Sequence, residues 1–105
     1  MAKRYSVTLA VSAVEDLEAI RDYYREQQVP EIGERLLADI FMAIADLSRL
    51  PDRGRIVPEF GLPHLRELIH PPFRIVYRRD ADRVRVVRVW RSERLLKLPP
   101  VSPRP

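Results

Sequence analysis

Between Leu65 and Arg91 only two short breaks, Pro71-Pro72 and Asp80-Ala81-Asp82, interrupt a run in which valine, isoleucine, leucine and aromatic residues alternate with arginine. Such residues favour strands, and breaks this short leave room for hairpins but not for a crossover connection. The pattern predicts three consecutive antiparallel strands, about Leu65–His70, Phe73–Arg79 and Arg83–Trp90. Successive side chains of a strand point to opposite faces. Phe73, Ile75 and Tyr77 therefore share one face, suited to a core, and Arg74, Val76 and Arg78 share the other. With Arg66, Arg83, Arg85, Arg88, Arg91 and Arg94 nearby, the sheet is studded with guanidinium groups, alternate positions lying about 6.6 Å apart.

The first half reads differently. Tyr5, Val7 and Leu9 alternate with Arg4, Ser6 and Thr8, which predicts a short first strand. Ser12 and Glu15 have the spacing of a capping box, followed by Val14, Leu17, Ile20 and Tyr24 at helical steps. A helix to about Gln28 follows, with Asp16, Glu18, Asp22 and Glu26 toward solvent. Pro30 opens a second helix to about Arg49, with Leu36, Leu37, Ile40, Phe41, Ile44 and Leu47 as a wide apolar stripe. Pro51, Gly54, Pro58, Gly61 and Pro63 mark an irregular connector. The expected fold class is α+β in the order β-α-α-β-β-β: a helical hairpin on one face of a small antiparallel sheet, the other face left open. One domain over residues 1–98 and a disordered proline-rich tail over 99–105 complete the organisation.

Charge is divided along the chain. Residues 1–52 carry six Lys/Arg against ten Asp/Glu, whereas residues 53–105 carry thirteen against five. Arginine supplies 17 of the 19 basic residues, which suits bidentate pairing with phosphate or carboxylate. The absence of cysteine excludes disulfides, thiolate nucleophiles and sulfur-ligated metals. No run approaches the ~20 apolar residues of a membrane span. Glu15 and Asp16 fall where a signal peptide needs apolar residues. The expected location is the cytoplasm. Asp16, Glu15 and Glu18 have no histidine beside them, so neither a metal nor any other cofactor is expected.

Several words of the sequence, in order, carry a resemblance: DLEAIRDYY (16–24), LPDRGRIVPE (50–59), LRELI (65–69), FRIVYR (73–78) and VRVWRSER (87–94). In these the chain resembles the RelE/ParE superfamily of toxins from type II toxin–antitoxin modules. That resemblance implies a cognate antitoxin and one of two modes of action: ParE-like binding to DNA gyrase, or RelE-like cleavage of messenger RNA on the ribosome.

Cleavage by 2′-hydroxyl attack needs a proton acceptor, stabilisation of the phosphorane and a proton donor for the leaving oxygen. By resemblance, Arg74 matches the phosphate-stabilising arginine, and Arg91 and Arg94 match a basic tail. The superfamily's upstream lysines fall near Leu65 and Glu67, and its tail tyrosine near Leu98, none of which can transfer a proton usefully. If the chain is a ribonuclease, its catalytic residues would be Arg74, His70, Arg91 and Arg94. His64 and Tyr77 are lesser acid–base candidates, Tyr77 being expected in the core with its hydroxyl at an edge. The balance favours the ParE-like mode, with Arg66, Arg74, Arg78, Arg91 and Arg94 as target-binding residues. Trp90 is expected to anchor the sheet to a helix.

Overall fold

Two helices lie over one face of a five-stranded sheet in the computed structural model, which describes residues 3–91. Strand β1 (Ser6–Leu9) leads into helix α1 (Val11–Glu26) and helix α2 (Pro30–Asp46). A short strand β2 (Arg55–Ile56) lies within the connector, followed by β3 (Leu65–His70), β4 (Phe73–Arg79) and β5 (Arg83–Arg91). The sheet order is β1-β5-β4-β3-β2. All ladders are antiparallel except β1 on β5, which is parallel because the two helices carry the chain away from β1. The expected α+β class holds, with β2 added at one edge. Arg94 and the 99–105 tail fall outside the described residues.

Apolar periodicity explains the core. Leu17 and Ile20 of α1, with Leu37, Ile40 and Ile44 of α2 and Leu47 just beyond, pack on Leu68, Phe73, Ile75, Tyr77, Val84, Val86 and Val89. Two residues of the expected helix stripes lie elsewhere. Val14 and Phe41 are 43% and 45% exposed, and Ala13 takes the inward position on α1. Gly33 lets the helices cross closely, since a Cβ there would meet the Tyr24 Cβ at 2.7 Å.

The start of α1 differs from the capping-box expectation. Ala10 is the N-cap, and Ser12, inside the helix, donates its hydroxyl to the Val87 carbonyl at 2.6 Å. Asp16, expected in solvent, instead accepts the Val89 amide at 2.8 Å and two guanidinium nitrogens of Arg88 at 2.7 and 3.1 Å. β1 ends at Leu9, so the outer edge of β5 beyond Val86 has no strand partner; Ser12 and Asp16 satisfy it with side chains.

The β4–β5 ladder slips between Val76 and Tyr77: Tyr77 pairs with Val86 and Val76 with Arg88, leaving Val87 as the extra residue. Strict alternation from Val84 and Val86 would carry Trp90 to the core face. The bulge reverses the parity. Val89 takes the core position, and Trp90 pairs with Arg74 on the opposite face, half-buried beneath the Arg88 guanidinium 4.2 Å from its ring. Trp90 is therefore not the anchor to a helix that the sequence predicts.

Candidate target-binding face

Cross-strand partners share a face, so the register assigns every strand arginine to one side. On the face away from the helices, three rungs cross β3, β4 and β5: Ile69–Arg74–Trp90, Glu67–Val76–Arg88 and Leu65–Arg78–Arg85. Arg83 extends this face along β5, Ser6 and Thr8 of β1 lie beside Arg83 and Arg85, and Arg55 of β2 lies beside Glu67.

The helix-side face takes the others. Arg66 pairs with Tyr77, His70 with Phe73, and Arg91 with Phe73. Arg66 and Arg91 thus do not join Arg74 and Arg78 on one surface. Arg66 donates to the Gly54 and Pro63 carbonyls at 3.0 and 3.1 Å, stapling the connector to β3. Arg91 lies 5.7 Å from the Phe73 ring and 5.8 Å from that of Tyr23. His70 lies 4.0 Å from Asp39 of α2. A strand places His70 and Arg74 on opposite faces, so the two do not meet at one phosphate.

The open face is not wholly bare. Glu67 is completely buried, and it accepts from the Arg74 Nε at 2.6 Å and the Arg55 Nε at 2.7 Å. Arg74 is itself buried, and its two terminal nitrogens donate to the two oxygens of Glu59, each at 2.9 Å. Glu59 belongs to the connector, which this clasp fastens across the sheet. Val57 and Val76 are buried outside the main core cluster. Hydrogen bonding from Arg74 holds the Glu59 carboxyl below its ordinary pKa, and Glu59 in turn raises that of Arg74. Two carboxylates offset two guanidiniums, so this part of the face presents no net charge.

Tyr77 secures the connector from the other side. Its buried hydroxyl donates to the Pro51 carbonyl at 2.8 Å and accepts the Gly54 amide at 2.9 Å. A Cβ on Gly54 would meet that hydroxyl at 2.7 Å, so only glycine fits. Burial pushes the Tyr77 phenol up, which disfavours it as a base at neutral pH. His64 is exposed in the connector.

Apart from Arg55 and Arg88, which pair closely with Glu67 and Asp16, the solvent-open cations of the open face cluster at the β4–β5 hairpin end. The side chains of Arg78 and Arg83 are 54% and 69% exposed, and Arg85 is exposed beside Thr8. Of these three, the target-binding residues expected from the sequence include only Arg78. Alternation of the β5 arginines was the available signal. The clasp partner Glu59 had no such signal, because the connector has no period. No group of His, Asp and Glu suited to a metal ion occurs among the described residues.

The family described as the ParE toxin of the type II toxin–antitoxin system parDE matches residues 7–96. The chain belongs to that family. Its fold is shared with a structure described as the chromosomal ParDE toxin–antitoxin system from P. aeruginosa: TM-score 0.70, 26% identity, covering 84% of this chain and 96% of that one. It also resembles the RelBE2 toxin–antitoxin complex from Mycobacterium tuberculosis, with TM-score 0.61, 25% identity, and coverage of 87% of this chain and 94% of that one. Among curated proteins none matches significantly. The protein is a toxin of a type II toxin–antitoxin system within the RelE/ParE superfamily.

Proposed function

We propose that the chain inhibits DNA gyrase by binding, in the ParE-like manner, and is held inactive in the cytoplasm by a cognate antitoxin. Family membership and the two neighbouring toxin–antitoxin complexes support the antitoxin as partner. An acidic antitoxin segment complements the basic second half of the chain and would be captured quickly by opposite charge.

One observation carries the choice of mode. Arg74, the counterpart of the phosphate-stabilising arginine in RelE-like toxins, has its fork filled by Glu59 and its Nε by Glu67. A phosphorane there would have to displace Glu59 and would still lie near the buried Glu67 carboxylate. His70, the remaining acid–base candidate, faces α2 instead. A ribonuclease needs these groups converging on one phosphate.

The test is direct. Purified chain should inhibit gyrase supercoiling in a manner relieved by its antitoxin, and should leave ribosome-bound messenger intact. Codon-specific cleavage on the ribosome, with supercoiling unaffected, would overturn the proposal in favour of the RelE-like mode.

A further inference from the structure

Arg78 and Arg85 are direct cross-strand partners with side chains on the same exposed face. Like charges placed opposite each other in a ladder are destabilising. Unlike Arg74, which two carboxylates clasp, this pair is poorly compensated. Asp80 approaches Arg78 at 3.8 Å and Arg83 at 3.9 Å, beyond hydrogen-bonding range, and exposed Asp82 completes the acidic groups of the hairpin. Against these stand Arg78, Arg83, Arg85 and the exposed Arg4 that precedes β1 at the same end. The exposed hydroxyls of Ser6 and Thr8 lie alongside Arg83 and Arg85 through the parallel β1–β5 register.

We infer that this corner docks the sugar–phosphate backbone of duplex DNA, an inference that rests on the reading that the chain acts on gyrase, whose own substrate is duplex DNA. Guanidinium forks match phosphate oxygens bidentately, and serine and threonine hydroxyls donate to them. Single strands are held chiefly by stacking bases on aromatic side chains. The described part of this corner has none: Tyr5 lies on the other face beneath Arg79, and Trp90 is at the far end of β5 beneath Arg88. A surface of guanidiniums and hydroxyls reads backbone and not bases, so binding is independent of sequence. The toxin would then engage the enzyme and the DNA it holds together.

The experiment is a fluorescence-anisotropy titration of the full chain with a short DNA duplex of arbitrary sequence over a range of salt. Three phosphate contacts weaken binding roughly 40-fold between 50 and 200 mM salt, since each contributes about 0.9 to the logarithmic slope. The variant Arg78→Ala/Arg85→Ala should fold normally, because both residues are exposed, and its slope should fall by about two. Arg78→Lys/Arg85→Lys should keep the slope. No duplex binding at 50 mM salt, or an unchanged slope in the folded alanine variant, overturns the inference. So does tighter binding to poly-glutamate than to the duplex, which would make the corner a site for an acidic polypeptide. Gyrase inhibition is measured separately. Supercoiling inhibited without duplex binding removes this inference alone, whereas duplex binding without inhibition removes the gyrase reading.

Discussion

Glu59 closes on Arg74 with both carboxylate oxygens, each 2.9 Å from a terminal guanidinium nitrogen, while Arg74 Nε reaches the buried Glu67. Arg74 is thereby a fastening between the connector and the sheet. Removing one member of a buried ion pair costs roughly 3–5 kcal/mol where the other is left uncompensated, and less here, because Arg55 still pairs with Glu67 and Glu59 reaches solvent. Arg74→Ala should lower the urea midpoint accordingly. Loss of toxicity in that variant then reports unfolding, and Arg78→Ala is the informative test of the exposed face. Replacing both buried partners, as Arg74→Met/Glu67→Leu, should recover most of the loss. A single Arg74→Ala variant with parental stability would show that the clasp contributes nothing.

The same clasp makes a prediction in acid. Hydrogen bonding from Arg74 lowers the Glu59 pKa below its ordinary 4.5. A carboxylate depressed in the folded state contributes stability that is complete above the unfolded value and disappears as pH falls through the folded one. Glu59→Gln should therefore be less stable than the parent at pH 6, and the two should converge below about pH 4.5. Urea midpoints taken from pH 6 to pH 3 measure this. Parallel curves would mean that the Glu59–Arg74 bond has no energetic weight in solution.

Much of this architecture was legible in the sequence because its signals are local. Pro71-Pro72 sets the β3–β4 turn, so the bounds of both strands follow from alternation, as does the inward face of Phe73, Ile75 and Tyr77. What failed depends on distant chain. Ser12 looks like a cap until β5, 75 residues away, supplies its acceptor. Trp90 looks inward until the extra residue Val87 reverses the parity. Arg74 looks free because nothing periodic in the connector announces where Glu59 will land. Resemblance puts Arg91 with Arg74, and the arginine-rich strands put Arg66 there too, but strand parity separates both from it.

Tyr77 offers a cleaner measure of connector attachment. Its hydroxyl is the partner of both the Gly54 amide and the Pro51 carbonyl. Tyr77→Phe leaves two buried backbone groups unsatisfied and should cost about 1–3 kcal/mol. Gly54→Ala should also destabilise, since the new Cβ would lie 2.6 Å from the Glu67 carbonyl, and overpacking of this kind costs about 1–3 kcal/mol. Amide hydrogen exchange at residues 52–57 should rise in both variants. Protection equal to the parent would show that the connector is held elsewhere.

Gln28 is a position where the sequence works against the fold. α1 ends with the Val29 amide bonded to the Tyr24 carbonyl and the Gln28 amide to that of Arg25, a Schellman arrangement that puts Gln28 at φ 63°. Residues with a Cβ pay about 1–2 kcal/mol in the left-handed region, and glycine does not. Glycine is also more flexible in the unfolded chain, which returns part of that gain. Gln28→Gly should raise stability by about 0.5–1 kcal/mol, seen as a higher midpoint on thermal unfolding. A lower midpoint would mean that the glutamine side chain makes a compensating contact.

Asp16 closes the edge of β5 that β1 leaves open, accepting from the Val89 amide and from Arg88, which in turn lies over Trp90. Hydrogen bonds to a charged group contribute about 1.5–3 kcal/mol, so Asp16→Ala should destabilise by about that amount. Asp16→Asn keeps an acceptor for Val89 and loses the ion pair, so its cost should be smaller. Trp90 is the single tryptophan, and its emission reports on the Arg88 guanidinium above it. Both variants should shift the native-state emission, the alanine more than the asparagine. Emission and stability matching the parent, within about 0.5 kcal/mol as for ordinary surface substitutions, would place Asp16 back in solvent and leave the β5 edge to be closed some other way.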